Sequence, residues 1–177
     1  MNVTQSTKLL TGTPAPKLEV ETLDGQLWKL SEQTSQNYTM VVFYRGWHCP
    51  ICKRYLAELE RQLSDLTKLG IEAITLSGDS KEQAQKSKDQ WGLEQVTLGY
   101  GLRHESMRQW GLYVSKGAFE NEPPLFGEPA LFLVHPDGVV VYAAINSAPF
   151  GRPSFSEIAS SIDYMLKKNS YPIRGAD

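Results

Sequence analysis

Both cysteines of the chain lie in one short stretch, FYRGWHCPICKRYL, from Phe43 to Leu56. Two thiols three residues apart cannot crosslink distant parts of a chain. In a reducing compartment such a pair points to catalysis, redox sensing or metal binding. If Cys49 caps the helix that follows, Pro50 takes the first helical position, where its missing N–H costs nothing. Cys49 then faces unpaired backbone N–H groups at the positive end of the helix dipole, which favours its thiolate. Cys52 sits one turn further along nearly the same face, within reach of a mixed disulfide formed at Cys49. Arg45, Lys53 and Arg54 add positive charge nearby in sequence. His48 is expected to modulate the thiols electrostatically, and Trp47 to form a partly exposed platform beside them.

Other chemistries fit less well. A structural zinc site takes four ligands, and only His48, His104 and His135 could join the cysteines, none at a recognisable spacing. No metal is therefore expected, although a metal-binding or redox-sensing protein remains a third reading. Covalent haem attachment needs a histidine directly after the second cysteine, where this chain has Lys53. No organic cofactor is implied.

The elements that must position this pair can be read on either side of it. LEVETLDGQLWKL alternates apolar residues around Asp24-Gly25 and predicts an N-terminal β-hairpin. YTMVVFY predicts a buried strand running straight into the motif. Leu56, Leu59, Leu63 and Leu66 recur at spacings of three and four, the stripe of an amphipathic helix that Gly70 can end. IEAITLS is a further strand, and Ser80 with Gln83 forms a capping box for a polar helix through Trp91. VTLGY is a short strand, followed by a helix around Glu105 to Trp110. KGAFENEPPLFG, Lys116 to Gly127, has no periodicity and two adjacent prolines, and reads as a loop. ALFLV and VVVYAA form a hairpin about HPDG. Ser154 and Glu157 make a second capping box before the stripe Phe155, Ile158, Ile162 and Met165. Pro129 opens the ALFLV strand, a place where proline marks an edge, a bulge, a cis bond or a plain strand start.

The 177 residues suit one domain with a self-sufficient core. Residues 13–170 are expected to form it, with tails over 1–12 and 171–177. A formal net charge of −2 gives no reason to expect nucleic acid or an anionic membrane as partner. MNVTQSTKLL lacks the pattern of a signal peptide, and the apolar runs are too short to span a bilayer. A cytoplasmic protein is expected, its oligomeric state open. Strands alternating with helices predict an α/β fold with a central mixed β-sheet flanked by helices. A Cys-x-x-Cys directly after a buried strand in that pattern marks it as thioredoxin-like.

Three segments, TGTPAPKLEVETLDGQLWKLSE, VVFYRGWHCPICKRYLAEL and EPALFLVHPDGVVVY, together resemble the alkyl hydroperoxide reductase/thiol-specific antioxidant (AhpC/TSA) family, the peroxiredoxin-like branch of the thioredoxin fold. The resemblance spans roughly Leu10 to Leu166. It implies that the proline before the last hairpin, Pro129, is cis and faces the cysteines as part of a substrate groove. It also offers a second register for the motif. Peroxiredoxins carry Pro-x-x-x-Thr-x-x-Cys, the last cysteine attacking peroxide, with an arginine at the start of the later strand. Those positions are occupied here by Arg45, Cys49, Cys52 and Pro129, so of the four only the attacking cysteine is kept. At Cys49 and Pro129 the chain matches thioredoxin instead.

The expected activity is thiol–disulfide oxidoreduction, with Cys49 as nucleophile and Cys52 as resolving thiol. An external dithiol of thioredoxin or glutathione type would reduce the resulting disulfide. The alternative is a thiol-dependent peroxidase acting on hydrogen or alkyl peroxides, in which Arg45 or Arg152 of FGRPSF replaces the missing donors.

Overall fold

The computed structural model describes residues 9–168 and 170–177. Most of the expected 1–12 tail falls outside them. The elements, in chain order, are β1 (Glu19–Thr22), β2 (Leu27–Lys29), β3 (Tyr38–Phe43), α1 (Pro50–Lys68), β4 (Ile71–Leu76), α2 (Lys81–Trp91), β5 (Thr97–Tyr100), α3 (His104–Gln109), β6 (Val114–Lys116), β7 (Leu125–Gly127), β8 (Ala130–Val134), β9 (Val140–Ile145) and α4 (Phe155–Lys167). Seven strands form one mixed sheet in the order β2-β1-β5-β4-β3-β8-β9. The centre, β3-β4-β5, is parallel, as strands joined through crossover helices must be. The flanking pairs are antiparallel hairpins, β1-β2 and β8-β9.

Alternation along β3 places the site. Met40 and Val42 point into a core shared with Leu56, Leu59 and Leu66 of α1, Trp91 of α2, and Phe155, Ile158 and Ile162 of α4. Val41 and Phe43 point the other way, to Ile74, Leu76, Met107, Trp110 and Phe132. A strand covered on both faces reads as an unbroken apolar run, and YTMVVF is one. Burying the fully enclosed Leu56 and Leu59 contributes roughly 2 kcal/mol each, which fixes the axis of α1 and hence its first turn at the C-terminal end of β3.

Local signals in the sequence carry through. Gly25 has φ 83° at the hairpin tip, and Gly70, φ 71°, follows α1. Ser80 and Gln83 form the reciprocal capping box of α2. Ser154 accepts the N–H of Glu157 and so makes one half of the second expected box.

Two features differ from expectation. The segment from Lys116 to Gly127 is not loop throughout: its ends pair as the two-stranded ribbon β6-β7, apart from the main sheet. Three-residue strands hold too few alternations to announce themselves. Pro129 is not cis, since no described peptide bond is. Its carbonyl accepts the N–H of Asn146 at 2.9 Å, and Ala130 then pairs with both Phe43 and Ile145. The trans isomer, intrinsically favoured by about 0.5–1 kcal/mol, lets the chain run extended from β7 through Glu128 into the central sheet.

Candidate functional site

The five residues after β3 deliver the thiols. Tyr44 extends the parallel ladder, its N–H donating to Leu76 O at 3.1 Å. Gly46 then turns the chain with φ 137°, a value that strains any side chain. The N–H of Trp47 donates to Asp79 Oδ2 at 2.8 Å, and the N–H of Cys49 closes the turn on Gly46 O at 3.1 Å. Cys49 thereby becomes the cap of α1, with Pro50 as first helical residue, and its Sγ accepts the N–H of Cys52 at 3.2 Å. Both thiols are free and buried, at 1% and 0% exposure.

Arg152 arrives from the loop between β9 and α4, a hundred residues along the chain from Cys52, and sets its Nη2 2.9 Å from Cys52 Sγ. Its Nε donates to Pro149 O at 2.8 Å, and its guanidinium lies 4.6 Å over the ring of Tyr55. Tyr55 in turn donates to Pro153 O at 2.7 Å. The guanidinium is held rigidly, while its buried Nη1 has no partner among the described residues.

The two thiols titrate as a pair holding one proton between them. The neighbouring Cys52 thiol, with the Cys52 N–H and the charges of Arg152 and Arg45, brings Cys49 down to about 6 against the opposing effect of burial. Burial, and the proton it shares with Cys49, push Cys52 well above the ordinary thiol range, with Arg152 opposing. These opposite shifts favour a thiolate at Cys49 and a thiol at Cys52.

Arg45 is engaged by two carboxylates from the segment before β8. Its Nη2 lies 3.4 Å from Glu122 Oε1 and its Nε 3.3 Å from Glu128 Oε2. The guanidinium sits 4.5 Å over Phe126. Ser115 Oγ donates to Glu128 at 2.6 Å, and Glu122 Oε2 accepts the N–H of Ala118 at 2.8 Å. The ribbon and its tip are thus tied to the motif, and what the segment before β8 brings there is the Glu128 carboxylate. The cis bond expected at Pro129 is not formed.

His48 packs its ring 4.8 Å from Phe126, and neither nitrogen has a partner among the described residues. Burial first, then Arg45, holds its pKa below the usual imidazole value. That shift favours the neutral ring. Trp47 is half-buried and stacks on Trp91, centroids 5.6 Å apart and planes 17° from parallel. Among the described residues no group of histidine, cysteine and acidic side chains could hold a metal ion. No described helix is long and apolar enough to cross a membrane.

A paired thiolate and thiol at the start of a helix, in a thioredoxin-like α/β fold, define a thiol-dependent oxidoreductase. The AhpC/TSA family profile matches residues 11–143, and the chain belongs to that family. A Mycobacterium tuberculosis protein named as a candidate peroxiredoxin is 26% identical over 156 residues, 85% of this chain and 94% of its own. The crystal structure of a peroxiredoxin-like protein from Aquifex aeolicus superposes with a TM-score of 0.73 at 17% identity, covering 89% of this chain and 88% of that one. The reduced 2-Cys peroxiredoxin of Plasmodium vivax gives a TM-score of 0.71 at 19% identity, covering 90% and 83%.

Proposed function

We propose that the protein reduces a hydroperoxide at Cys49 and stores the oxidation as a Cys49–Cys52 disulfide, which an external dithiol then reduces. The observation that carries this reading is the place of Cys49 Sγ at the cap of α1, where it accepts the Cys52 N–H at 3.2 Å with the Cys52 thiol as its neighbour. The Cys49 thiolate attacks one peroxide oxygen and the O–O bond breaks. The departing alkoxide takes a proton and leaves as alcohol or water, with a sulfenic acid on Cys49. The Cys52 sulfur displaces the hydroxyl, water leaves, and the disulfide forms. Arg152 fits the part of oxygen donor, since it reaches Cys52 Sγ with one guanidinium nitrogen and keeps a second without a partner among the described residues.

Thiol–disulfide exchange is still needed in the second half of the cycle, when one dithiol of thioredoxin type, or two monothiols of glutathione type in turn, attack the Cys49–Cys52 bond and leave as a disulfide. A cytoplasmic setting, where such dithiols are kept reduced, belongs to the same proposal. The test is a single turnover of reduced protein with stoichiometric hydrogen peroxide, followed by stopped-flow fluorescence of Trp47. Oxidation orders of magnitude faster than that of a free thiol of matched pKa is expected. A rate no better than the free thiol would leave disulfide exchange as the activity.

A further inference from the structure

One buried carboxylate below the motif has no part in these steps. Asp79, just beyond β4, is 3% exposed. Its backbone is pinned on both sides: its N–H donates to Ser77 Oγ at 3.2 Å, and its carbonyl accepts the N–H of Gly101 at 2.8 Å. Its Oδ2 takes the N–H of Trp47 at 2.8 Å. Its Oδ1 fills the space beside Gly46, where an added Cβ would stand 2.5 Å away. Carboxylate and turn are thus fitted to each other at the two residues that start the Gly46–Cys49 bond.

We propose that Asp79 is a positioning residue, whose carboxylate fixes the Gly46-Trp47 turn and so holds Cys49 at the helix cap, where its sulfur meets the Cys52 N–H. The inference rests on the reading of Cys49 as the thiolate. A buried carboxylate is an expensive way to hold one amide, which argues for a task that a serine or a water would not perform. Burial raises Asp79 to about 6, against the pull of the Trp47 N–H and the Ser77 hydroxyl. The ionisable group interacting with it is the fully buried phenol of Tyr44, which stays protonated. Near neutral pH the carboxylate is therefore mostly ionised and a strong acceptor.

The experiment measures the ultraviolet absorbance of the Cys49 thiolate against pH in a Cys52→Ser background, with and without Asp79→Ala. Loss of the acceptor should raise the Cys49 midpoint by about one pH unit, the size of shift that a few hydrogen bonds to a charged form produce. Asp79→Asn, which keeps an oxygen in place, should recover most of that shift. Gly46→Ala, which drives a methyl against Oδ1, should reproduce it with the carboxylate intact, and decides the matter if Asp79→Ala does not fold. An unchanged midpoint in folded Asp79→Ala, or in folded Gly46→Ala, overturns the proposal. A parent midpoint already at the free-thiol value overturns the reading of Cys49 itself, and this role with it.

Discussion

Replacing Arg152 with alanine separates two ways in which a guanidinium can help a thiol. The first is acidity. With Cys49 near 6 rather than an ordinary thiol value of 9.0, the thiolate fraction at pH 7 rises from about 1% to about 90%. Intrinsic nucleophilicity falls with pKa at a Brønsted slope of about 0.45, which takes back roughly twentyfold. Acidity alone therefore speeds attack only about fourfold. If Arg152→Ala raised Cys49 by one unit, thiolate would fall to about 50% while nucleophilicity rose about threefold, leaving the rate within a factor of about two. The second way is hydrogen bonding to the oxygens in the transition state, and removing one such fixed donor costs roughly 100- to 1,000-fold. The stopped-flow rate with hydrogen peroxide should thus fall at least about a hundredfold in Arg152→Ala. Arg152→Lys, which keeps the charge without the planar fork, should restore the thiol titration but not the rate. A rate within twofold of the parent in folded Arg152→Ala would refute the assignment of Arg152 as oxygen donor.

Stability should depend on pH through Asp79. Its folded pKa of about 6 lies above the ordinary aspartate value of 3.8, so the folded state binds more protons between those values and stability falls as pH rises through that window. Asp79→Asn removes the penalty and should be more stable than the parent by up to about 3 kcal/mol at pH 8, with the gap closing towards pH 4. Urea unfolding at both pH values checks this, and an equal gap at both would contradict it. Leu59, fully enclosed in the α1 stripe, should cost about 3–5 kcal/mol as alanine, read as a lower denaturant midpoint at unchanged slope.

Legibility in the sequence followed the range of the interactions. The α1 stripe, the buried β3 run, the capping box at Ser80 and the hairpin at Asp24-Gly25 are written in neighbouring residues, and the structure keeps them. The cap at Cys49 and the proline behind it are equally local. Arg152 could be named as a candidate but not placed, because its contact with Cys52 depends on where the loop after β9 returns. Glu122 and Glu128 reach Arg45 only through a ribbon of three-residue strands, too short to show a period. Asp79 carries no local signal in the sequence, and its burial follows from the turn at Gly46 packing against it. Pro129 was expected to be cis from resemblance alone. The backbone instead passes straight into β8, and Glu128 is the residue turned towards the motif.

The central claim is that Cys49 meets the oxidant first, and it can be tested by treating Cys52→Ser and Cys49→Ser proteins with stoichiometric hydrogen peroxide in the presence of a sulfenic-acid trap. Mass spectrometry of the products should place the adduct on Cys49 of Cys52→Ser, formed at a rate close to the parent's oxidation, with little adduct on Cys49→Ser. Rapid trapping at Cys52 in Cys49→Ser, with Cys49 slow in the other variant, would contradict the account and reverse the order of the two thiols.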